Sequence, residues 1–430
     1  MTVSAKYLAI VLLGLICGLI FYGQDLRLGV RIRVFDIGLL AVTAAFAWHA
    51  LTRGVARQTA PFVIVFGAFV LYMTCNALLQ GTTGTAVKEL AQMALFGAFF
   101  LALAQFLDDQ RGLSTFLAVM LVTLWALALQ NAAFHISAGS FAGWKTLGDQ
   151  KLTHSMIVLM MAIVTISPLR PRGWWWIALL IAAVVMLFLS GERKGWVATA
   201  LAVFVALVIS DQGGIGRRAM RRTLGVALSA AGLIAIAAIL APFVPYLEKQ
   251  LFSSMDFVTL LLSDEAGRGT GTTTESNRNR LAMIEIAIQQ MREHPVFGIG
   301  PEAFRSDALA RGFLPIPAGD IATGPHNELL RVGAELGFVG LTLYLLAHGV
   351  VLFRALVLVA AMPSFDDAER LRIRLGFAFF IYGFIVNLFL AGGGLNTFFV
   401  MLPAALLFSV PLPDPRPAAV LRPPAPRPMA

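Results

Sequence analysis

Three short stretches concentrate the side chains of this chain that are able to do chemistry. The first, SGERKGW at residues 190–196, sets Arg193 and Lys194 between two apolar runs. A guanidinium offers a planar fork matched to phosphate oxygens, so an anion clamp is one reading. Long basic side chains that reach the headgroup layer from helix ends are the other.

The second stretch is NRNRLAMIEIAIQQMREHPVFGIGPEAF, residues 277–304, with Leu281, Ile284, Ile288 and Met291 at helical spacing. The spacing predicts an amphipathic helix over Ser276–His294, capped by Ser276 or Asn277 and ended by Pro295. Arg280 falls roughly in line with Ile284 and Ala287, where a charge is costly unless it meets an anion or a carboxylate such as Glu285. HPVFGIGP reads as a tight turn shaped by glycine.

The third stretch, GPHNELLRVGAELG at residues 324–337, carries His326 where a polar segment enters an apolar run. Pro325 suits a first helical position, and Asn327, Arg331 and Glu335 form a stripe at four-residue spacing. Histidine is the side chain best suited to take a proton near neutral pH, and a helix-entry hydrogen bond is its plainer role. Of the other histidines, His294 reads as a helix stop, and His49, His135, His154 and His348 lack comparable polar company. No HExxH, Cys/His cluster, P-loop or Gly-rich dinucleotide fingerprint is present, so no metal site or cofactor is expected. Cys17 and Cys75 lie inside apolar runs and read as small buried hydrophobes.

The elements that must position these residues are membrane helices. The chain is 58% hydrophobic and 13% charged, with mean hydropathy +0.79, about half the charge of a soluble protein. Apolar runs long enough to cross a bilayer recur, and twelve are predicted: 7–23, 34–50, 61–80, 89–107, 113–136, 153–168, 174–190, 196–210, 224–247, 328–361, 375–391 and 397–412. With both termini inside, Lys and Arg number sixteen in the inner segments and eight in the short outer loops, the expected bias. The net charge of +9 is thus read as orientation, not nucleic-acid binding. Arg27, Arg31 and Arg33 in the first outer loop run against it. Trp174–Trp176 reads as an interfacial aromatic anchor, and Gly392–Gly394 as an outer turn. The predicted organisation is nine membrane helices in 1–247, an outer loop in 248–325 holding the amphipathic helix, three helices in 326–412, and a Pro-rich cytoplasmic tail in 413–430. The stretches around Arg193, Arg280 and His326 then face outward. Nucleoside triphosphates are absent there, and group transfer needs a pre-activated donor carried in the membrane.

An Arg at the start of an amphipathic helix, then HPVFGIGPEAF, then PHNELLRVGAELGFVG before an apolar span, resembles the O-antigen ligase and polymerase superfamily. The Arg of SGERKGW resembles a second signature of that group, and the likeness covers chiefly residues 190–200 and 276–345. Two departures are Ile284, where members commonly carry Trp, and Glu192, where Ser is usual. The resemblance implies an all-α polytopic GT-C-like glycosyltransferase, metal-independent, working on the periplasmic face of a Gram-negative inner membrane. Its implied partners are an O-antigen donor on undecaprenyl pyrophosphate, a lipid A-core acceptor hydroxyl and membrane lipids, with no nucleic acid. By match to the motifs, Arg193 and Arg280 bind the pyrophosphate and His326 acts at the acceptor, with Lys194, Asn327 and Arg331 in support. The single large outer segment favours a ligase over an O-antigen polymerase, which commonly has two. A protein O-oligosaccharyltransferase and, from another class, a lipid-linked-sugar transporter are the remaining alternatives; no internal repeat of the transporter kind is present.

Overall fold

The computed structural model describes residues 3–22, 25–27, 31–54, 56–139, 152–209, 272–312, 324–390 and 394–412. Among them the chain is a helical assembly suited to a membrane. Helices α1 (Val3–Leu19), α2 (Val34–Arg53), α3 (Ala60–Leu79), α4 (Thr83–Phe106) and α5 (Gln110–Ser137) come first. Between α1 and α2, the short strands Asp25–Arg27 and Arg31–Arg33 pair antiparallel. Then follow α6 (Leu152–Ile166), α7 (Trp175–Ser190) and α8 (Arg193–Val208). The polar part of the chain supplies α9 (Thr272–Glu293) and α10 (Phe304–Ala310). The last three are α11 (Glu328–Ala360), α12 (Asp367–Asn387) and α13 (Gly394–Phe408). Among the described residues, four helices are long and apolar enough to cross a membrane: Arg57–Leu79, Thr83–Phe106, Gln110–Ser137 and Glu328–Ala360. The predicted ninth span, 224–247, and the tail 413–430 lie outside the described residues, as do most of the outer loop, Arg217–Arg222 and Gly392.

Polar contacts sort the helix ends into two groups. At one end, Lys6 on α1 binds Asp108 and Asp109 of the α4–α5 turn, and Gln58 before α3 donates to Phe408 O at 2.6 Å. Arg372 on α12 reaches Leu107 O and Ser409 O, Arg374 reaches Ile209 O at 3.5 Å, and Arg354 late in α11 reaches Val410 O. The starts of α1, α3 and α12 thus meet the ends of α4, α8, α11 and α13. The helices run alternately up and down, with an apolar core of Phe, Leu and Ala side chains between the ends. Arg372 and Arg374 sit within a helix, not in the connecting loop expected for them, because α12 begins at a capping box formed by Asp366 and Glu369.

Several local expectations are corrected. Cys75 is exposed, because α3 turns most of its surface outward, where a thiol is no worse than any small apolar group. Trp176 is buried and donates to Thr165 Oγ1 at 2.6 Å, so only Trp174 and Trp175 remain as surface aromatics. Helix α9 starts at Thr272, which leaves Ser276 and Asn277 inside it, not at its cap.

Candidate functional site

The opposite end of the bundle gathers all three chemically equipped stretches. The α7–α8 connection is two residues long and depends on Gly191, whose φ of 65° is the left-handed conformation that ends helices cheaply in glycine. Trp196 fixes the corner, its indole nitrogen donating to Leu187 O at 2.9 Å, and Gly195 packs against Ser155 of α6. This places Arg193 and Lys194 on the first turn of α8, both partly exposed. Lys194 lies 3.3 Å from Glu192 and 3.5 Å from Phe389 O at the end of α12. Asn387 of α12 donates to Asn396 O at the start of α13, and Asn396 in turn donates to Glu328 at the start of α11. A chain of contacts therefore leads from the α8 hairpin to the residue two places after His326.

Helix α9 docks on this end through Met283, Ala287 and Gln290, which face Phe304, Ala308 and Ala334. The predicted stripe is rotated: Leu281 and Ile284 are half-buried and Ile288 is exposed, because docking selects the face one residue away. Arg280 extends the docked face one turn beyond the packing and is exposed. It pairs with no carboxylate among the described residues, Glu285 included. Its charge acts instead on Arg193, which is also within electrostatic reach of Glu192. Burial first, and then the like charge of Arg280 from a distant part of the chain, disfavour the charged form of Arg193, and an anion beside the two groups would offset both. The far end of α9 is tied down by Arg311, which forks onto Glu293 (2.7 Å) and Asp307 (2.6 Å). The hydrogen bond to Glu293, ahead of that to Asp307, raises the Arg311 pKa, and the same contact lowers that of Glu293.

The turn after α9 is built into α11. At Gly337 the helix breaks, with φ 64° and ψ −167°. Phe338 N donates to Pro295 O at 2.8 Å, and Ile299 N and Gly300 N donate to Ala334 O and Glu335 O at 3.1 and 2.8 Å. Tyr72 donates to Leu336 O beside the break and Asn76 to Phe297 O of the turn, so α3 supplies a donor to each side of the junction. A Cβ at Gly337 would stand 2.3 Å from Val296 O, and one at Gly298 2.4 Å from Glu335 O. HPVFGIGP is therefore a latch that inserts into a broken helix.

His326 is exposed and takes φ 50°, a left-handed conformation for a residue with a side chain. It stands immediately before Asn327, which caps α11 by accepting from Leu330 N at 3.1 Å. The helix begins at Glu328, so Pro325 precedes it instead of occupying the predicted first position; the left-handed His326 between them excludes a helical start there. Held off the helix in this way, the imidazole is presented at the surface.

Arg331 has a different environment. It is buried, with Nε and Nη2 on Glu328 (3.0 and 2.6 Å), Nη2 and Nη1 on Glu89 (2.8 and 3.3 Å) and Nη1 on Glu335 (2.9 Å). Glu302, with His326 one of two non-glycine residues of positive φ among the described residues, approaches to 3.9 Å. Glu335 also accepts from Phe304 N at 3.2 Å. One guanidinium paired with three carboxylates and approached by a fourth is already compensated, so Arg331 ties α4 to the start of α11. Glu89, Glu302 and Glu328 were not singled out in sequence. Glu89 lies 242 positions from Arg331, and no local pattern announces such a pairing.

Residues 177–345 match the family model described as O-antigen ligase. That match contains the α8 hairpin, α9, the latch, His326 and the cap of α11. No curated protein matches the chain.

Proposed function

We propose that this chain, which carries a domain of the O-antigen ligase family over residues 177–345, is a membrane glycosyltransferase that ligates O-antigen to lipid A-core. In this reading it is a GT-C-like enzyme of about twelve membrane helices in a Gram-negative inner membrane. The termini are cytoplasmic and the Arg193 end is periplasmic. Domain limits follow the sequence, with membrane helices over 1–247 and 326–412, the periplasmic loop over 248–325 and the tail over 413–430. The observation that carries the proposal is that Arg193 and Arg280, from separate elements, lie within electrostatic reach of each other at the end of the bundle that also presents His326.

The chemistry follows from these three groups. Undecaprenyl pyrophosphate is a competent leaving group, and its charge grows as the glycosyl–oxygen bond breaks. Arg193 and Arg280 neutralise that charge without a metal ion, with Lys194 adding to the field. A sugar hydroxyl of the acceptor attacks the anomeric carbon from the opposite face as His326 takes its proton, which inverts the anomeric centre. The products are the glycosylated lipid A-core and undecaprenyl pyrophosphate. Asn327 and Arg331 act indirectly, by capping and bracing the helix on which His326 is mounted. The half-exposed stripe Leu281, Ile284 and Ile288 suits α9 to lie in the headgroup layer, where a membrane-borne donor arrives.

The test is reconstitution with a defined undecaprenyl-pyrophosphate glycan and three acceptors offered separately: lipid A-core, a second lipid-linked glycan, and pilin. Glycan on lipid A-core is the expected product. Exclusive chain extension, or exclusive transfer to pilin, would replace ligase by polymerase or protein transferase. Movement of the donor across vesicles with no covalent product would replace enzyme by transporter.

A further inference from the structure

Away from the candidate site, a groove of about 780 Å³ runs along α11, closed at one end by Arg57, Gln58 and Pro61 at the start of α3. It follows α11 from Phe338 past Thr342 and Gly349 to Arg354 and Val357, and Arg57 and Leu412 line its far end. Residues 338–357 at a rise of ~1.5 Å give a length of roughly 28 Å, close to the depth of a hydrocarbon core. Its volume lies in the range of small-molecule sites, roughly 300–1,000 Å³. Its long wall, α11, is 39% buried against 50% for α4 and α5. Among the described residues the groove therefore opens sideways.

Its charge is one-sided. Arg57 and Arg354 line it, and among the described residues no carboxylate does. Arg57 is exposed and makes no ion pair among the described residues. Arg354 is held by Leu407 O and Val410 O and lies 5.2 Å over the Phe408 ring, contacts that aim its charge without neutralising it. Two positive charges at the mouth of an apolar slot favour an anion at that same level, Arg354 by its charge alone because its guanidinium already donates to two carbonyls. The Arg193 clamp sits at the opposite end of the bundle. A polyprenyl donor anchored there would bring its tail, not its phosphates, to Arg57 and Arg354.

We propose that this groove binds a glycerophospholipid with an anionic headgroup. Its phosphate lies at Arg57 and Arg354, and an acyl chain lies along α11 over Gly349. The lipid lies along the face of α11 that follows the break at Gly337, the helix that receives the latch.

The test uses the full-length protein in nanodiscs, with retained lipids counted by native mass spectrometry. The probes are phosphatidylglycerol, phosphatidylcholine and undecaprenyl phosphate. Wild type is expected to retain phosphatidylglycerol. Arg57→Gln should lower its preference over phosphatidylcholine about 5-fold, one surface arginine being worth about 1 kcal/mol toward an anionic lipid. Nothing lies within 4 Å of a Cβ built on Gly349, so Gly349→Leu fills the slot without a clash. That variant should fold as wild type, by melting in lipid-free detergent, and lose the retained lipid. Equal retention by Gly349→Leu and wild type would overturn the site, and equal retention of the two phospholipids would overturn the headgroup assignment. Preference for undecaprenyl phosphate would make the groove a donor-tail site and overturn the proposal. None of these outcomes bears on Arg193, Arg280 or His326, so the ligase reading stands or falls separately.

Discussion

At the scale of single residues, the candidate site divides into groups that face outward and one that is walled in. Arg193, Arg280 and His326 are at least partly exposed, while Arg331 is spent on carboxylates. Removing a buried ion-pair partner leaves charges without compensation, at a typical cost of about 3–5 kcal/mol. Arg331→Met should therefore lower the unfolding temperature in detergent, whereas Arg280→Ala should leave it unchanged and abolish transfer. If Arg331→Met melted as wild type and lost only donor affinity, the brace would be a ligand contact after all. The outward groups were legible in sequence because a cation or imidazole flanked by Gly, Pro and apolar runs is conspicuous. The carboxylates around Arg331 were not. Glu335 read as one member of a stripe at four-residue spacing, and Glu89 and Glu328 marked only the boundaries of spans.

At the scale of elements, the latch links site to scaffold. HPVFGIGP was readable as a turn from its Gly and Pro content, but its place inside a broken α11 was not. The break depends on Gly337, which hydropathy treats as one more residue of a long apolar run. Positive φ combined with a Cβ contact of 2.3–2.4 Å makes Gly298 and Gly337 intolerant of side chains. Gly298→Ala and Gly337→Ala should each cost about 1–3 kcal/mol from backbone strain alone, with the clash in addition. Hydrogen exchange should then rise over residues 295–300 and 334–339. Unchanged protection there would mean that the latch is not held by these contacts. The amphipathic helix shows the same mixture. Periodicity found α9 and its end at Pro295. The face that docks is set by Phe304, Ala308 and Ala334, which lie outside the helix.

At the scale of the whole molecule, polar contacts at the two ends order the helices without reference to a membrane. One end collects Lys6, Asp108, Asp109, Arg354, Arg372 and Arg374, and the other collects Lys194, Asn396, Glu89 and the latch. Composition alone indicated lipid as solvent, and the alternation of apolar runs indicated the up-and-down course. The proposed orientation predicts that cysteines at exposed Glu302 and Asp367 react with a membrane-impermeant thiol reagent from opposite sides. Position 302 should label in intact spheroplasts and position 367 only after lysis, with native Cys75 replaced by Ser. The reverse pattern would put the clamp in the cytoplasm and remove the ligase proposal. The central claim is that Arg193 and Arg280 grip one diphosphate, and the most direct measurement is a double-mutant cycle on binding of undecaprenyl pyrophosphate. The single Ala variants should each weaken binding. The double variant should depart from their sum by roughly 0.5–3 kcal/mol, as for groups sharing one ligand. Additive losses, or binding unchanged in either single variant, would contradict a common site.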